Sequence, residues 1–406
     1  MNHYSMNAAE KTEWICQQAR GAGFDLCGIA PVVMEATTQA REEKALDGTF
    51  EELAHLPEWL ARGYAGEMNY LRDARRGDLR LVLDGAQSLI VVALNYNSSL
   101  PYSTELPVTR GEDAPRGWIS RYAWGDDYHE VLREKLEMVV AAMRGQFTEP
   151  FEARAYVDTG PVIERVAAKY AGLGWLAKNT CLINEKMGSW LFLGVIVTTL
   201  DLAPSIPGGE LPSPDLCGNC RLCLDACPTQ AFPEAYVLDA TRCISYLTIE
   251  LRGAIPENMR PSMGRAVIGC DICQDVCPWN RKSPVTPLAA FQPRQLLGSR
   301  GELSEGKQDE SLFAPELETL ASLTQEEFRS VFRGSAVKRA KWRGMVRNAC
   351  VALGNCEIDR NSAAHKRMVG LLKRLAGGED ALIAEHARWA IARLNGPELN
   401  SSGSTH

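Results

Sequence analysis

The sequence predicts three folding units in one chain: an α/β unit over residues 1–205, a small cysteine-rich α+β unit over 206–290 and an all-α unit over 291–406. Three observations carry this. Apolar runs alternate with amphipathic helical stretches in the first half, eight closely spaced cysteines fill the middle, and the last hundred residues keep a helical period. A length of 406 residues also exceeds the ~100–200 of one ordinary domain.

In the first unit, residues 89–94 form an unbroken apolar run after Asp84-Gly85, the pattern of a strand buried on both faces. Asp127 caps an expected helix whose apolar positions Leu132, Leu136, Val139, Val140 and Met143 follow helical spacing. Residues 153–157 read as a strand that delivers Asp158 at its C-terminal end, and Pro161 is expected to open the next helix. Asp158 then stands where open α/β sheets place ligand-facing residues. Another strand is expected at 191–200, followed by a Pro- and Gly-rich linker over 203–214.

The middle unit carries Cys217-x2-Cys220-x2-Cys223-x3-Cys227-Pro228, then Cys243, then Cys270-x2-Cys273-x3-Cys277-Pro278. This is the pattern of a module holding two 4Fe-4S clusters, in which the cysteine before each proline reaches across to the other cluster. One cluster is assigned Cys217, Cys220, Cys223 and Cys277, the other Cys227, Cys243, Cys270 and Cys273. Val267 stands where a compact second run would place its first cysteine, so Cys243 supplies that ligand from upstream. A zinc ribbon would use two Cys-x2-Cys pairs and leave four of the eight cysteines without a role. The remaining Cys16, Cys27, Cys181, Cys350 and Cys356 read as small buried apolar residues.

The cysteine usage fits a reducing cytosol, and the first thirty residues, with Glu10, Glu13, Arg20 and Asp25, lack the apolar core of a secretory signal. The longest apolar stretch falls well short of the ~20 residues a membrane helix needs. A cytoplasmic, membrane-free monomer is expected. A net charge of −7 disfavours general nucleic-acid affinity. Between residues 331 and 347, however, Arg333, Lys338, Arg339, Lys341, Arg343 and Arg347 occur without an acidic residue, with Phe332 and Trp342 interleaved. That stretch is either a solvated helix face or an RNA-contacting patch. In the last unit, residues 347–355 and 387–395 fall in register at an offset of 40, the period of HEAT-like helical pairs. The polar stretch 299–310 reads as an insertion and 400–406 as a disordered tail.

Arg121-Tyr-Ala-Trp-Gly-Asp-Asp-Tyr-His129, Val157-Asp-Thr-Gly-Pro161, Ala171-Gly-Leu-Gly-Trp-Leu-Ala-Lys-Asn179 and Arg242-Cys-Ile-Ser-Tyr-Leu247, together with the cysteine run, closely resemble the epoxyqueuosine reductases. The resemblance implies a cobalamin-binding α/β domain, a two-cluster ferredoxin-like domain and a HEAT-like domain that helps hold tRNA. It implies reduction of epoxyqueuosine to queuosine at the wobble base, the last step of that tRNA modification. A low-potential donor of flavodoxin or ferredoxin type would feed the clusters. By the same resemblance Asp158 is the general acid and a cofactor contact, and Arg76 and Arg121 touch cobalamin. Lys178 and Asn179, after a Gly-x-Gly turn, are expected to line the same pocket. The basic residues Lys338, Arg339, Lys341, Arg343 and Arg347 are expected to contact tRNA.

Loss of an epoxide oxygen consumes two electrons and two protons, whereas a cubane passes one electron at a time, so cobalamin would join the two transfers. Asp158 would need a raised pKa to carry a proton at neutral pH. The plainer reading of Asp158 is a helix cap, and His129 reads as a structural histidine rather than a cobalt ligand. Two other functions compete: a dehalogenase-type cobalamin reductase, which has no use for a basic helical domain, and a simple electron carrier, which needs only the clusters.

Overall fold

The computed structural model describes residues 6–32, 50–106, 114–207, 210, 212–296 and 311–396. The expected insertion at 299–310, the tail at 400–406 and part of the linker lie outside the described residues. The first unit is built on four strands, β1 (Leu26–Pro31), β2 (Ser88–Asn95), β3 (Ala153–Tyr156) and β4 (Leu191–Thr198), in the order β1-β2-β4-β3. Every pairing is antiparallel.

All eight residues of β2 are buried because both faces of the sheet are covered. On one side Ile90, Val92 and Leu94 pack with Ile15 and Ala19 of helix α1 (Ala8–Gly21) and Leu132 and Leu136 of α2 (Tyr128–Gln146). On the other, Leu89, Val91 and Ala93 meet Val166, Ala167 and Tyr170 of α3 (Glu164–Tyr170). The alternation follows from the two-residue period of a strand. An apolar run reports that both faces are covered, not the direction of its neighbours, so the expected open α/β arrangement gives way to an antiparallel sheet. Gly28 of β1 is required by this packing: a Cβ there would stand 2.1 Å from the Ala171 carbonyl oxygen.

Asp127 caps α2 as expected, its side chain accepting from the His129 N–H at 3.2 Å, and the five expected apolar positions are buried. The next helix starts later than expected, at Glu164 rather than Pro161, because Ile163 has extended torsions (φ −98°, ψ 89°). Pro161 and Val162 lie in a bend instead.

Trp118–Ile119 runs parallel to Ala266–Ile268 and fastens the first unit to the cysteine-rich one. Buried Asp271, between Cys270 and Cys273, accepts from the Arg121 N–H at 2.8 Å, the Trp118 indole at 3.1 Å and the Ser120 hydroxyl. The last unit contains α4 (Lys341–Gly354), α5 (Ala363–Ala376) and α6 (Ala381–Asn395). Met345, Ala349, Leu353, Met368, Leu372 and Ala387 share one core with Trp118, Trp124 and Val267 from the other two units. The two segments that repeat at an offset of 40 lie on α4 and α6, which pack together; Gly354 lets them approach, since a Cβ there would stand 2.8 Å from the Ala390 Cα. No helix among the described residues is long and apolar enough to cross a membrane.

Candidate active site

A cleft of about 2320 Å³ is walled by all three units: Arg76, Tyr128, His129 and Asp158 from the first, Ser245 and Glu250 from the second, and Lys338, Arg339 and Lys341 from the third. Asp158 follows β3 in the left-handed region (φ 55°), which a non-glycine residue adopts at a cost and keeps where the surroundings enforce it. Its side chain is 66% exposed and lines the cleft. Tyr128 Oη donates to Asp158 Oδ2 at 2.8 Å, and His129 Nε2 stands 3.5 Å from the same oxygen. Behind them, His129 Nδ1 is 2.7 Å from Asp127 Oδ1, and Lys338 Nζ is 2.6 Å from Asp127 Oδ2.

These contacts reverse one expectation. The cleft walls crowd Asp158 and push its pKa up, but the His129 and Tyr128 hydrogen bonds, with the charges of His129 and Arg339, outweigh that and hold the carboxyl below its usual range. The proton resides next door. Burial works against the His129 imidazolium, yet its bonds to Asp127 and Asp158 push its pKa up to about 9. Glu164, also on the cleft wall, is raised to about 7 by burial and then by the Asp158 charge, and its Oε1 is buried without a hydrogen-bond partner.

Of the residues expected to touch cobalamin, Arg76 and Asp158 line the cleft and three do not. Arg76 is 7% exposed, lies over the Tyr70 ring at 5.6 Å and donates to the Val162 carbonyl at 3.2 Å. Arg121 is 2% exposed and turned inward, 4.8 Å from the Trp124 ring and 5.1 Å from those of Tyr102 and Trp190. Its donors go to the carbonyls of Ser98 (2.7 Å), Leu100 (3.0 Å) and Pro101 (3.2 Å), so it braces a loop. Lys178 reaches the Gly218 and Cys220 carbonyls and Asn179 the Cys273 carbonyl, tying the turn to the cysteine loops rather than to the cleft.

The eight cysteines fall into two neighbourhoods. Cys217, Cys220, Cys223 and Cys277 line a second cavity of about 260 Å³ with Leu216, Leu222 and Trp279. Burial, then the neighbouring Cys217 and Cys220, pushes the Cys223 thiol up to about 11; burial and then Cys223 and Cys217 do the same to Cys277. Cys243 and Cys270 are raised by burial, Cys270 also by Cys243 and Cys227, and Cys273 by its bond to Cys181, then by burial, and least by Cys270 and Cys243. Such crowded thiols fit a cubane, whose irons would stabilise the thiolate form and relieve the repulsion. Cys181, expected to be an inert buried residue, stands in hydrogen-bonding contact with Cys273.

Residues 216–280 match the family described as a 4Fe-4S double cluster binding domain, and residues 76–159 match the one described as epoxyqueuosine reductase QueG. The epoxyqueuosine reductase of Pseudomonas aeruginosa is 38% identical over 345 residues, covering 84% of this chain and 87% of that one. The chain belongs to the epoxyqueuosine reductase family. The Escherichia coli epoxyqueuosine reductase is 39% identical over 83% of this chain and 81% of its own length. A crystal structure of an epoxyqueuosine reductase with an epoxyqueuosine-modified tRNA-Tyr stem loop superposes with a TM-score of 0.78, at 27% identity, over 96% of this chain and 92% of that one. A Bacillus subtilis epoxyqueuosine reductase, whose structure shows an aspartate-bearing catalytic loop swung out of its active site, superposes with a TM-score of 0.74 at 26% identity, over 96% and 92% of the two chains.

Within this member of the epoxyqueuosine reductases the basic stretch divides. Arg347 is wholly buried, donating to the carbonyls of Leu247 (2.6 Å), Leu251 (2.9 Å) and Gly253 (2.7 Å), and burial lowers its pKa to about 10. It cannot meet a nucleic acid; it bolts α4 to the cysteine-rich unit. Arg343 pairs with Asp380 at 2.6 Å, away from the cleft, and Arg339 makes a two-pronged bond to Glu250 at 2.9 Å on the cleft wall. Lys341 is exposed on the cleft rim, where Arg329 and Arg333 join it.

Proposed function

We propose that the chain reduces epoxyqueuosine in tRNA to queuosine, with cobalamin in the large cleft and electrons arriving through two 4Fe-4S clusters held by the eight cysteines. The observation that carries this is the single cleft on which an acid (Asp158), residues adjoining a cluster cysteine (Ser245, beside Cys243) and a basic rim (Arg333, Lys341) meet. Its volume is more than twice that of a typical small-ligand pocket, ~300–1,000 Å³, and suits a corrin together with an extruded base. When bound, cobalamin supplies the two-electron chemistry at carbon that single-electron clusters cannot. Arg76, on the cleft wall with donors already spent on the Tyr70 and Val162 carbonyls, would offer its positive charge to the phosphate of the side arms.

The protein's own part is positioning and protons. The reaction takes an epoxide, two electrons and two protons to an alkene and water. Asp158 is the group that hands the opening oxygen its proton, drawn from His129, whose Nε2 stands 3.5 Å away. Tyr128 fixes the carboxylate between them. The exposed basic rim engages phosphates of an anticodon stem. A low-potential flavodoxin- or ferredoxin-type donor, a cytoplasmic location and a monomeric state complete the reading, with the helical unit as a HEAT-like tRNA-holding domain.

The test is anaerobic reconstitution with iron, sulfide and cobalamin, then incubation with epoxyqueuosine-containing tRNA and a low-potential reductant, with nucleosides read by mass spectrometry. Queuosine is expected only when both cofactors are loaded. Intact clusters and bound cobalamin without product would overturn the substrate.

A further inference from the structure

Lys338 was expected among the RNA contacts, but its ammonium is committed elsewhere. It bonds Asp127 Oδ2 at 2.6 Å and stands 3.8 Å from Glu130. Asp127 is 2% exposed, and its backbone N–H donates to the Gly334 carbonyl at 2.8 Å, so the segment carrying Lys338 is docked against the start of α2. The other carboxylate oxygen of Asp127 takes His129 Nδ1 at 2.7 Å. An unbroken chain of contacts therefore runs from the helical unit to the acid: Lys338, Asp127, His129, Asp158.

We propose that Lys338 is a positioning residue of this acid assembly and not an RNA contact: by sharing the charge of buried Asp127, it leaves the His129 proton available to Asp158. This rests on the reading of Asp158 as the acid. A carboxylate away from water must satisfy its charge with the partners at hand. With two cations it divides its attraction between them. With Lys338 gone, the whole charge falls on His129, which grips its proton harder and donates it more slowly. As the substrate oxygen gains negative charge it takes a proton through Asp158, the carboxylate accepting from His129 Nε2 in the same movement, and the imidazole is refilled from the cleft.

The groups facing His129 are Asp127 and the stacked Tyr128 ring (4.0 Å) on its own element and Asp158 from the loop after β3. Lys338 acts from one contact away, and Arg339 and Glu164 act on Asp158.

The experiment compares full-length Lys338→Gln, Lys338→Arg and Lys341→Gln with the unmodified chain. Selective 13C-histidine NMR reads the His129 titration midpoint without cofactors, an unmodified anticodon stem-loop RNA reads binding against salt, and the reconstituted enzyme gives kcat at saturating tRNA. For Lys338→Gln the midpoint is expected to rise by about half a pH unit or more and kcat to fall several-fold. Its RNA affinity and salt dependence stay unchanged, and Lys338→Arg restores the midpoint. Lys341→Gln should do the reverse, weakening RNA binding and reducing the salt slope by about one while the His129 midpoint stays where it is. An unmoved midpoint in Lys338→Gln, with a salt slope reduced by about one, would make Lys338 a phosphate anchor and overturn the proposal. Failure of the unmodified enzyme to form queuosine would strike the functional reading instead, and the NMR midpoint would still decide the place of Lys338.

Discussion

The cysteine loops and the cleft wall differ in how far apart along the chain their partners lie. Cys217, Cys220 and Cys223 are within seven positions of one another, with Cys277 added from the second motif. Such spacing is a direct image of geometry, and the fold brings these four side chains to one cavity. The cleft instead gathers Arg76, His129, Asp158, Ser245 and Lys338, contributed by three units. No local pattern records which side of its element each of those side chains occupies.

The largest expected effect lies in the local region. Cys223→Ser should remove one cubane, lowering iron from about eight to about four per chain, and abolish turnover while the other group of cysteines keeps its cluster. Loss of all iron would break the comparison by showing the two groups to be one cooperative site.

Next comes the dispersed region's hidden fastener. Arg347→Met should cost about 2–4 kcal/mol in urea unfolding, because the carbonyls of Leu247, Leu251 and Gly253 lose their donor. Arg343→Gln, at an exposed pair with Asp380, should cost under about 1 kcal/mol. Equal losses would mean that burial does not separate these two arginines.

The smallest effect is in pH dependence. The His129 pKa is raised in the fold to about 9 from an unfolded value near ~6.5, so its contribution to stability is fully present below about 6.5 and is lost as pH rises through about 9. The Tm difference between the unmodified chain and His129→Gln should therefore narrow across that window. A difference that widens with pH would contradict the assigned bonds to Asp127 and Asp158.

Those two arginines also show what the sequence conceals. A basic run without acids looks the same whether a residue faces solvent, as Lys341 does, or fills the seam between two units, as Arg347 does. Arg121 was legible as important, but the aromatic residues that enclose it, Tyr102 and Trp190, come from distant segments, so its inward turn was not. Asp127 and Asp158 were legible because each stands at the end of an element whose period is clear. His129 reads from sequence as structural and Tyr128 carries no reading of its own there, although an available signal marks both: they follow a helix-capping aspartate at once. Glu164 carried no comparable signal, since its placement depends on the helix opening three residues later than Pro161 suggests. The apolar run at 89–94 correctly announced two covered faces, while strand direction is set by partners that the run does not contain.

The central claim is that Asp158 delivers the proton in the cleft. Asp158→Asn, loaded with clusters and cobalamin and saturated with epoxyqueuosine-containing tRNA, should bind cofactor and RNA as the unmodified chain does and form queuosine about 100-fold more slowly or worse. Full turnover by that variant would remove Asp158 from the chemistry and leave it a loop residue held by Tyr128 and His129.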